Sequence, residues 1–292
     1  MRITPLDISR NFLSDMGTLN QDLAEVNRQI SSGKKLNQLA DSPSGSAELV
    51  SLGKLEAEND QYTFNSNASS LYLKVADSSL NDVNNLITSI YTRGSQAATD
   101  GVTADSRAAI AEEVRSLRDQ IVSLANSQVN GRYLFAGSAI SQTAFSTSGD
   151  AITYNGDDTV SSIGVSAGVD IPMSFAGNEV FDSAFAAVNS LLAGIDSNDI
   201  SSINAALSEF STVLSGLSRI RADVGTNMGV LENIQARLDS QDTILTEQRS
   251  QIEDADSVQA AVQLSQMQSG LEAAMSAGAT ILQQRNLFDI LG

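Results

Sequence analysis

Histidine, cysteine and tryptophan are absent from all 292 residues. Without them no Ser/His/Asp triad, Cys/His dyad, disulfide, thiolate site or imidazole metal site can be built. The lack of cysteine fits either redox compartment. Proline is nearly absent too: only Pro5, Pro43 and Pro172 occur, so nothing interrupts a helix between Ser44 and Ile171, and a mainly α fold is expected. Basic residues are scarce, with 17 Lys and Arg against 35 Asp and Glu, a net charge of −18 and a pI near 4.2. Nucleic acid and anionic membrane are therefore not expected partners, because phosphate binding needs clustered Lys and Arg. The acidity points to solubility instead. No uncharged apolar run reaches the roughly 18 residues of a membrane span, so membrane insertion is not expected. The residues from Met1 to Asp7 hold no apolar h-region, so no cleaved signal peptide is expected either.

What is present is 41% hydrophobic, enough for a core in one or two domains, and it is arranged for long helices. From Ile200 to Ile252 apolar residues return at Ile203, Leu207, Phe210, Leu214, Leu217, Val224, Met228, Leu231, Leu238, Leu245 and Ile252. These intervals are the seam of a coiled-coil-like helix, roughly 80 Å long at about 1.5 Å per residue. An elongated rod is expected. Polar residues interrupt the seam at Arg221, Gln235, Asp242 and Arg249, which suggests that its partner changes along its length and leaves parts half exposed. A lone stripe is not stable and needs helices from elsewhere in the chain or from other copies.

At the amino end Phe12, Met16, Leu19, Leu23, Val26 and Ile30 predict an amphipathic helix that stops near Gly33, followed by a turn over Asp41-Ser42-Pro43-Ser44-Gly45. A second helix is expected from about Ser46 through Ile90, broken at Thr99-Asp100-Gly101. Asp105 is placed as the cap of a third helix, which carries Ile110, Val114, Leu117, Ile121 and Leu124 and closes before Asn130-Gly131. Between Tyr133 and Phe181 helical periodicity vanishes. Ala151 to Tyr154, with Asn155-Gly156-Asp157-Asp158 as a hairpin turn, reads as a small β insertion, and Val160, Ile163, Val165, Val169 and Ile171 supply further strands. A short helix over Asp182 to Ile195 leads into the long one. After Glu253-Asp254-Ala255-Asp256 a last helix carries Leu264, Met267, Leu271, Ala274, Gly278, Ile281 and Phe288 at heptad spacing.

That last helix is unusual, since Glu272 is the only charge between Ser257 and Gln284. A solvated face normally carries Lys and Glu, as the amino-terminal helix does with Arg10, Asp15, Asp22, Glu25 and Arg28. The helix is therefore enclosed by neighbours, faces a neutral lumen, or packs in an ordinary core; its glutamines argue against a dry core and against a membrane span.

Several chemical motifs are outweighed by plain readings. Ser31 and Ser32 stand in Ser-x-x-Lys spacing with Lys34 and Lys35, yet no Lys-Thr-Gly partner exists. Glu253, Asp254 and Asp256 are oxygen donors, but such a run is more often a solvated bend or a helix cap. Asn155 to Asp158 lacks the spacing and final Glu of a calcium loop. Asn67-Ala68-Ser69 fits a glycosylation acceptor but falls inside a helix. Glu112 and Glu113 as a paired-carboxylate hydrolase site point about 100° apart on a helix. No enzyme, cofactor or metal site is expected.

Ser32-Gly33-Lys34-Lys35-Leu36-Asn37 with Asp41-Ser42-Pro43, Asn130-Gly131-Arg132-Tyr133-Leu134-Phe135-Ala136-Gly137, and Ile252-Glu253-Asp254-Ala255-Asp256 resemble the flagellin superfamily of bacterial flagellar axial proteins. The likeness spans nearly the whole chain. Asp41-Ser42-Pro43, Gln61-Tyr62 to Asn65, and Leu134 to Ser138 leading to Ala144-Phe145 are most similar to its hook-filament junction branch, with filament-forming flagellin as the alternative. The resemblance implies a structural role. Residues 1–45 and 254–292 would form a terminal helical core that orders on assembly, 46–137 and 182–253 a helical rod, and 138–181 a β-rich insertion. Assembly contacts would fall on the seam residues Phe12, Leu19, Leu23, Val26, Ile30, Leu264, Leu271, Ile281, Leu287, Phe288 and Leu291. The implied partners are other copies in a tubular assembly, the first hook-associated protein, flagellin, and an export chaperone on Leu264 to Leu291. The implied destination is the extracellular flagellum, through the flagellar export apparatus.

Overall fold

The computed structural model describes residues 5–38 and 40–291, with the side chains of residues 5, 6, 8 and 281–291 left aside. The chain is mainly helical: α1 (Pro5–Ser32), α2 (Pro43–Ala97), α3 (Ala104–Ala125), α4 (Gly177–Asp196), α5 (Ile200–Glu253) and α6 (Ser257–Leu291). The long stripe beginning at Ile200 is one unbroken helix of 54 residues. Contacts divide the chain into two compact units, one of 1–58 with 241–292 and one of 59–240.

Three helix starts differ from expectation, α4 beginning at Gly177 instead of Asp182. Pro43-Ser44-Gly45 is not a turn but the first turn of α2: Ser42 Oγ accepts from Gly45 N–H, and Ser46 N–H donates to Ser42 C=O at 2.8 Å. Proline suits this first helical position, where its missing N–H would be unpaired anyway. The cap of α3 is Thr103 rather than Asp105; its hydroxyl accepts from Ser106 N–H, and Asp105 sits in the first turn, where its charge favours the helix N-terminus. At the end of α1 the structure follows the sequence. Gly33, at φ 72°, adopts the left-handed conformation that ends a helix, with its N–H on Gln29 C=O.

The unit 59–240 is built on one apolar cluster. Leu73, Leu80, Val83, Ile87 and Ile90 of α2, Val114 and Ile121 of α3, Leu191 of α4, and Ile203, Phe210, Leu217, Val224, Leu231 and Leu238 of α5 are all buried. Within this unit two polar interruptions of the α5 stripe are half-buried and find polar partners, while Asp242, further along α5, is exposed as the half-exposed stripe predicts. Arg221 Nε meets Asp77 Oδ1 at 3.0 Å, and Gln235 Nε2 donates to Asn67 Oδ1 at 3.2 Å. Arg107, buried at the start of α3, donates from Nε to the terminal carbonyl of α2 at Ala97 and from Nη1 to Asn198 Oδ1. One guanidinium thus ties the end of α2 and the start of α3 to the turn between α4 and α5.

Between α3 and α4 lie three antiparallel hairpins: β1 (Gln128–Val129) with β2 (Arg132–Tyr133), β3 (Phe145–Ser148) with β4 (Ala151–Tyr154), and β5 (Ser162–Ser166) with β6 (Val169–Pro172). Asn130-Gly131 is a hairpin turn rather than a mere helix boundary, with φ of 53° and 76° as a two-residue turn requires. The turn of the second hairpin is Gly149-Asp150, on the other side of β4 from Asn155 to Asp158. Those last four residues form a loop in which Asp157 accepts from Ser138 N–H and Thr159 N–H. Val160 falls outside the strands; Ile163, Val165, Val169 and Ile171 lie within them. The third hairpin is tied to helices through Asn65 Nδ2 to Gly164 C=O at 2.6 Å and through Arg237 to Ser166. Phe135, Phe145, Phe181 and Phe185 join the insertion to α4, with Phe135 and Phe181 edge-to-face at 4.9 Å and Phe145 and Phe185 at 5.2 Å.

Candidate functional site

In the unit made of 1–58 and 241–292, α1 packs along α6. Val26 is buried, and Phe12, Leu19, Leu23, Leu264 and Leu271 are half-buried in this contact region of the fold. Ile30 lies at the rim, 39% exposed. Ile281, Leu287, Phe288 and Leu291 are on α6, but their side chains lie outside the described residues. So the pair uses its stripe without covering it. Apolar side chains stay outside: Leu13 is 70% exposed, Val258 73% and Met275 53%.

A clasp closes one end of the pair. Lys34 and Asp254 form an antiparallel bridge, Lys35 N–H donates to Glu253 C=O at 2.7 Å, and Ala255 N–H donates to Gly33 C=O at 2.9 Å. Lys34 Nζ meets Glu253 Oε1 at 2.5 Å, and Glu253 also faces Arg249, whose Nη1 bonds Glu56 Oε2 at 2.7 Å. The two motifs that had stood apart in sequence, Gly33-Lys34-Lys35 and Glu253-Asp254-Ala255, thus pair as backbone. Sequence spacing could not announce this, because isolated bridges leave no periodicity. Next to the clasp, Asp41 accepts backbone bonds from Gln38 and Asn37, which, with Arg28 nearby, hold its carboxyl below the usual range.

The arrangement offers packing and no chemistry. The acids of the bend diverge: Glu253 takes the two cations, Asp254 accepts from Ser250 Oγ, and Asp256 Oδ1 caps α6 through Val258 and Gln259 N–H. Among the described residues no group of three or more His, Cys, Asp or Glu could hold a metal. Ser32 Oγ is bonded to Arg28 C=O and Lys34 N–H, and Lys35 Nζ to Gln251 C=O. A surface depression of about 520 Å³ lined by Tyr91, Ser95, Thr99, Asn204 and Leu207 holds no titratable cluster. No described helix is long and apolar enough to cross a membrane.

The paired terminal helices are also where known sequences match. The profile of the bacterial flagellin N-terminal helical region matches residues 6–140, and that of the bacterial flagellin C-terminal helical region matches 207–291, together well over half of the chain. The chain belongs to the flagellin family. Among its flagellin-family relatives is flagellar hook-associated protein 3 of Escherichia coli K12, 27% identical over 255 residues, spanning 78% of this chain and 80% of that protein. Flagellin B of Helicobacter pylori J99 is 29% identical over 222 residues, spanning 74% of this chain but 41% of that protein. The fold resembles the crystal structure of Xanthomonas campestris FlgL, with a TM-score of 0.63 at 17% identity over 68% of this chain and 99% of that one. As a flagellin-family member the chain is a structural, non-enzymatic component of the flagellum.

Proposed function

We propose that this chain is the hook-filament junction subunit of a bacterial flagellum, acting through its terminal helices. The observation that carries the reading is the pair α1 and α6, held in register by a clasp yet leaving Leu13, Val258, Val262 and Met275 exposed. A half-covered helix pair, one of whose members carries the single charge Glu272 between Ser257 and Gln284, lowers its free energy when further copies cover it. The assembly residues are the seam set: Phe12, Leu19, Leu23, Val26 and Ile30, with Leu264, Leu271, Ile281, Leu287, Phe288 and Leu291. Residues 1–45 and 254–292 order fully on assembly, because a half-buried stripe offsets the entropy of ordering two helices only in part. Its neighbours are copies of itself, the first hook-associated protein on one side and flagellin on the other. Before export through the flagellar apparatus a chaperone shields Leu264 to Leu291. The likeness to hook-associated protein 3 over most of that protein supports the junction over the filament, since the match to flagellin B covers less than half of it.

The test is electron microscopy of cells deleted for the chain, with the medium assayed for flagellin. Bare hooks and flagellin lost to the medium are expected. Filaments still attached to hooks would return the chain to the alternative, a filament-forming flagellin.

A further inference from the structure

The covered positions of α1 and α6 mirror each other in spacing. Phe12, Met16, Leu19, Leu23 and Val26 on one helix and Gly278, Ala274, Leu271, Met267 and Leu264 on the other follow the same spacing in opposite directions, all buried or half-buried, so with Phe12 at Gly278 an antiparallel pair brings Leu19 level with Leu271. At the end of the series away from the clasp, α6 presents a notch instead of a side chain. Gly278 is buried, and a Cβ built on it would lie 2.5 Å from Phe12 Cζ and 2.7 Å from Cε1. The other glycines of the two helices, Gly17 and Gly270, would meet nothing within 4 Å. Glycine inside a helix costs about 0.5–1 kcal/mol relative to alanine. At Gly278 that cost has a visible return, since the ring occupies the space a side chain would fill.

We infer that Phe12 seated against Gly278 is a register lock: together with the clasp it selects one axial alignment of α1 on α6. Heptad seams of this kind are prone to slip, because a shift by seven residues leaves apolar facing apolar. Here a slip would replace Gly278 opposite the Phe12 ring by Leu271 or Arg285, neither of which is a glycine. The lock sets which side chains the pair shows to a neighbouring subunit; that consequence rests on the assembly role proposed above, whereas the alignment itself does not.

The absence of cysteine makes a direct test possible. In the full-length chain assembled into flagella, Leu19→Cys with Leu271→Cys reports the alignment as an intramolecular disulfide under mild oxidation, read as a mobility shift of this chain on a non-reducing gel. Gly278→Ala and Gly270→Ala gain the same helix propensity, so the difference between them reads the notch alone. Gly278→Ala is expected to lower the disulfide yield several-fold, Gly270→Ala to leave it unchanged, and Phe12→Leu, which removes the ring atoms that the new methyl would strike, to restore it. Equal yields for the two alanine variants, no restoration by Phe12→Leu, or no disulfide in the parent pair would each overturn the lock. Counting filaments per hook in cells carrying the same variants links it to assembly. Filaments retained in the deletion strain would remove the junction reading and leave the disulfide result standing on its own.

Discussion

Single side chains decide several joints of this molecule. Arg107 is buried, and its two hydrogen bonds satisfy the Ala97 carbonyl and the Asn198 amide where the end of α2 and the start of α3 meet the turn between α4 and α5. Charged donors contribute about 1.5–3 kcal/mol per bond, so Arg107→Met should destabilise the 59–240 unit by roughly 2 kcal/mol, readable by denaturant titration. Asp150, at the tip of the β3–β4 hairpin, bonds Arg118 Nη1 at 2.7 Å and lies near Arg115. The Arg118 bond holds its carboxyl below the usual range. With the folded value below the unfolded one, this contribution is complete above about pH 4 and is lost as pH falls through the lowered value. Amide exchange in the hairpin should accelerate over that acid window in the wild type, and Asp150→Asn should abolish the pH step. Neither joint was legible in the sequence. Arg107 and Arg118 look like any surface arginine of a helix until their partners, far along the chain, are folded against them.

At the scale of elements, helix identity and approximate length were legible because apolar periodicity is local. The ends were less so. Pro43 read as a turn although its fixed φ suits the first turn of a helix, and Thr103 lost the cap to Asp105 in sequence because both residue types cap. The β hairpins were found by composition, but the turn of the second was placed after β4 instead of before it, since Gly149-Asp150 and Asn155-Gly156 are equally good turn formers. Seam polarity implies a half-exposed stripe, which Asp242 bears out, but it does not reveal that the half-buried Arg221 and Gln235 find polar partners on α2. The apolar seam positions carry the stability. Phe210 is fully buried and edge-to-face with Tyr91 at 6.3 Å, so Phe210→Ala should cost about 3–5 kcal/mol, checked by thermal unfolding.

At the scale of the whole molecule, the two compact units differ in how far they bury their stripes. In 59–240 the seam residues are almost fully enclosed, while on α1 only Val26 among the described apolar stripe is buried. Local opening is easiest where few apolar contacts are buried. Hydrogen exchange of a dilute monomer should therefore be fast through α1 and α6 and slow through the stretches of α2 and α5 inside the 59–240 unit. Slow exchange in the terminal pair under those conditions would refute ordering on assembly.

The sequence alone determined the fold class, the six helices in outline, the exclusion of thiolate and imidazole chemistry, and the family, because each depends on composition or on patterns within a few turns of chain. Tertiary structure alone decided that Lys34 meets Asp254, that Arg221 and Gln235 are paired, and that Phe12 fills the place of a side chain at Gly278. These are contacts between residues more than a hundred positions apart. No local propensity encodes them, and they exist only once the burial of the apolar stripes has brought distant segments side by side.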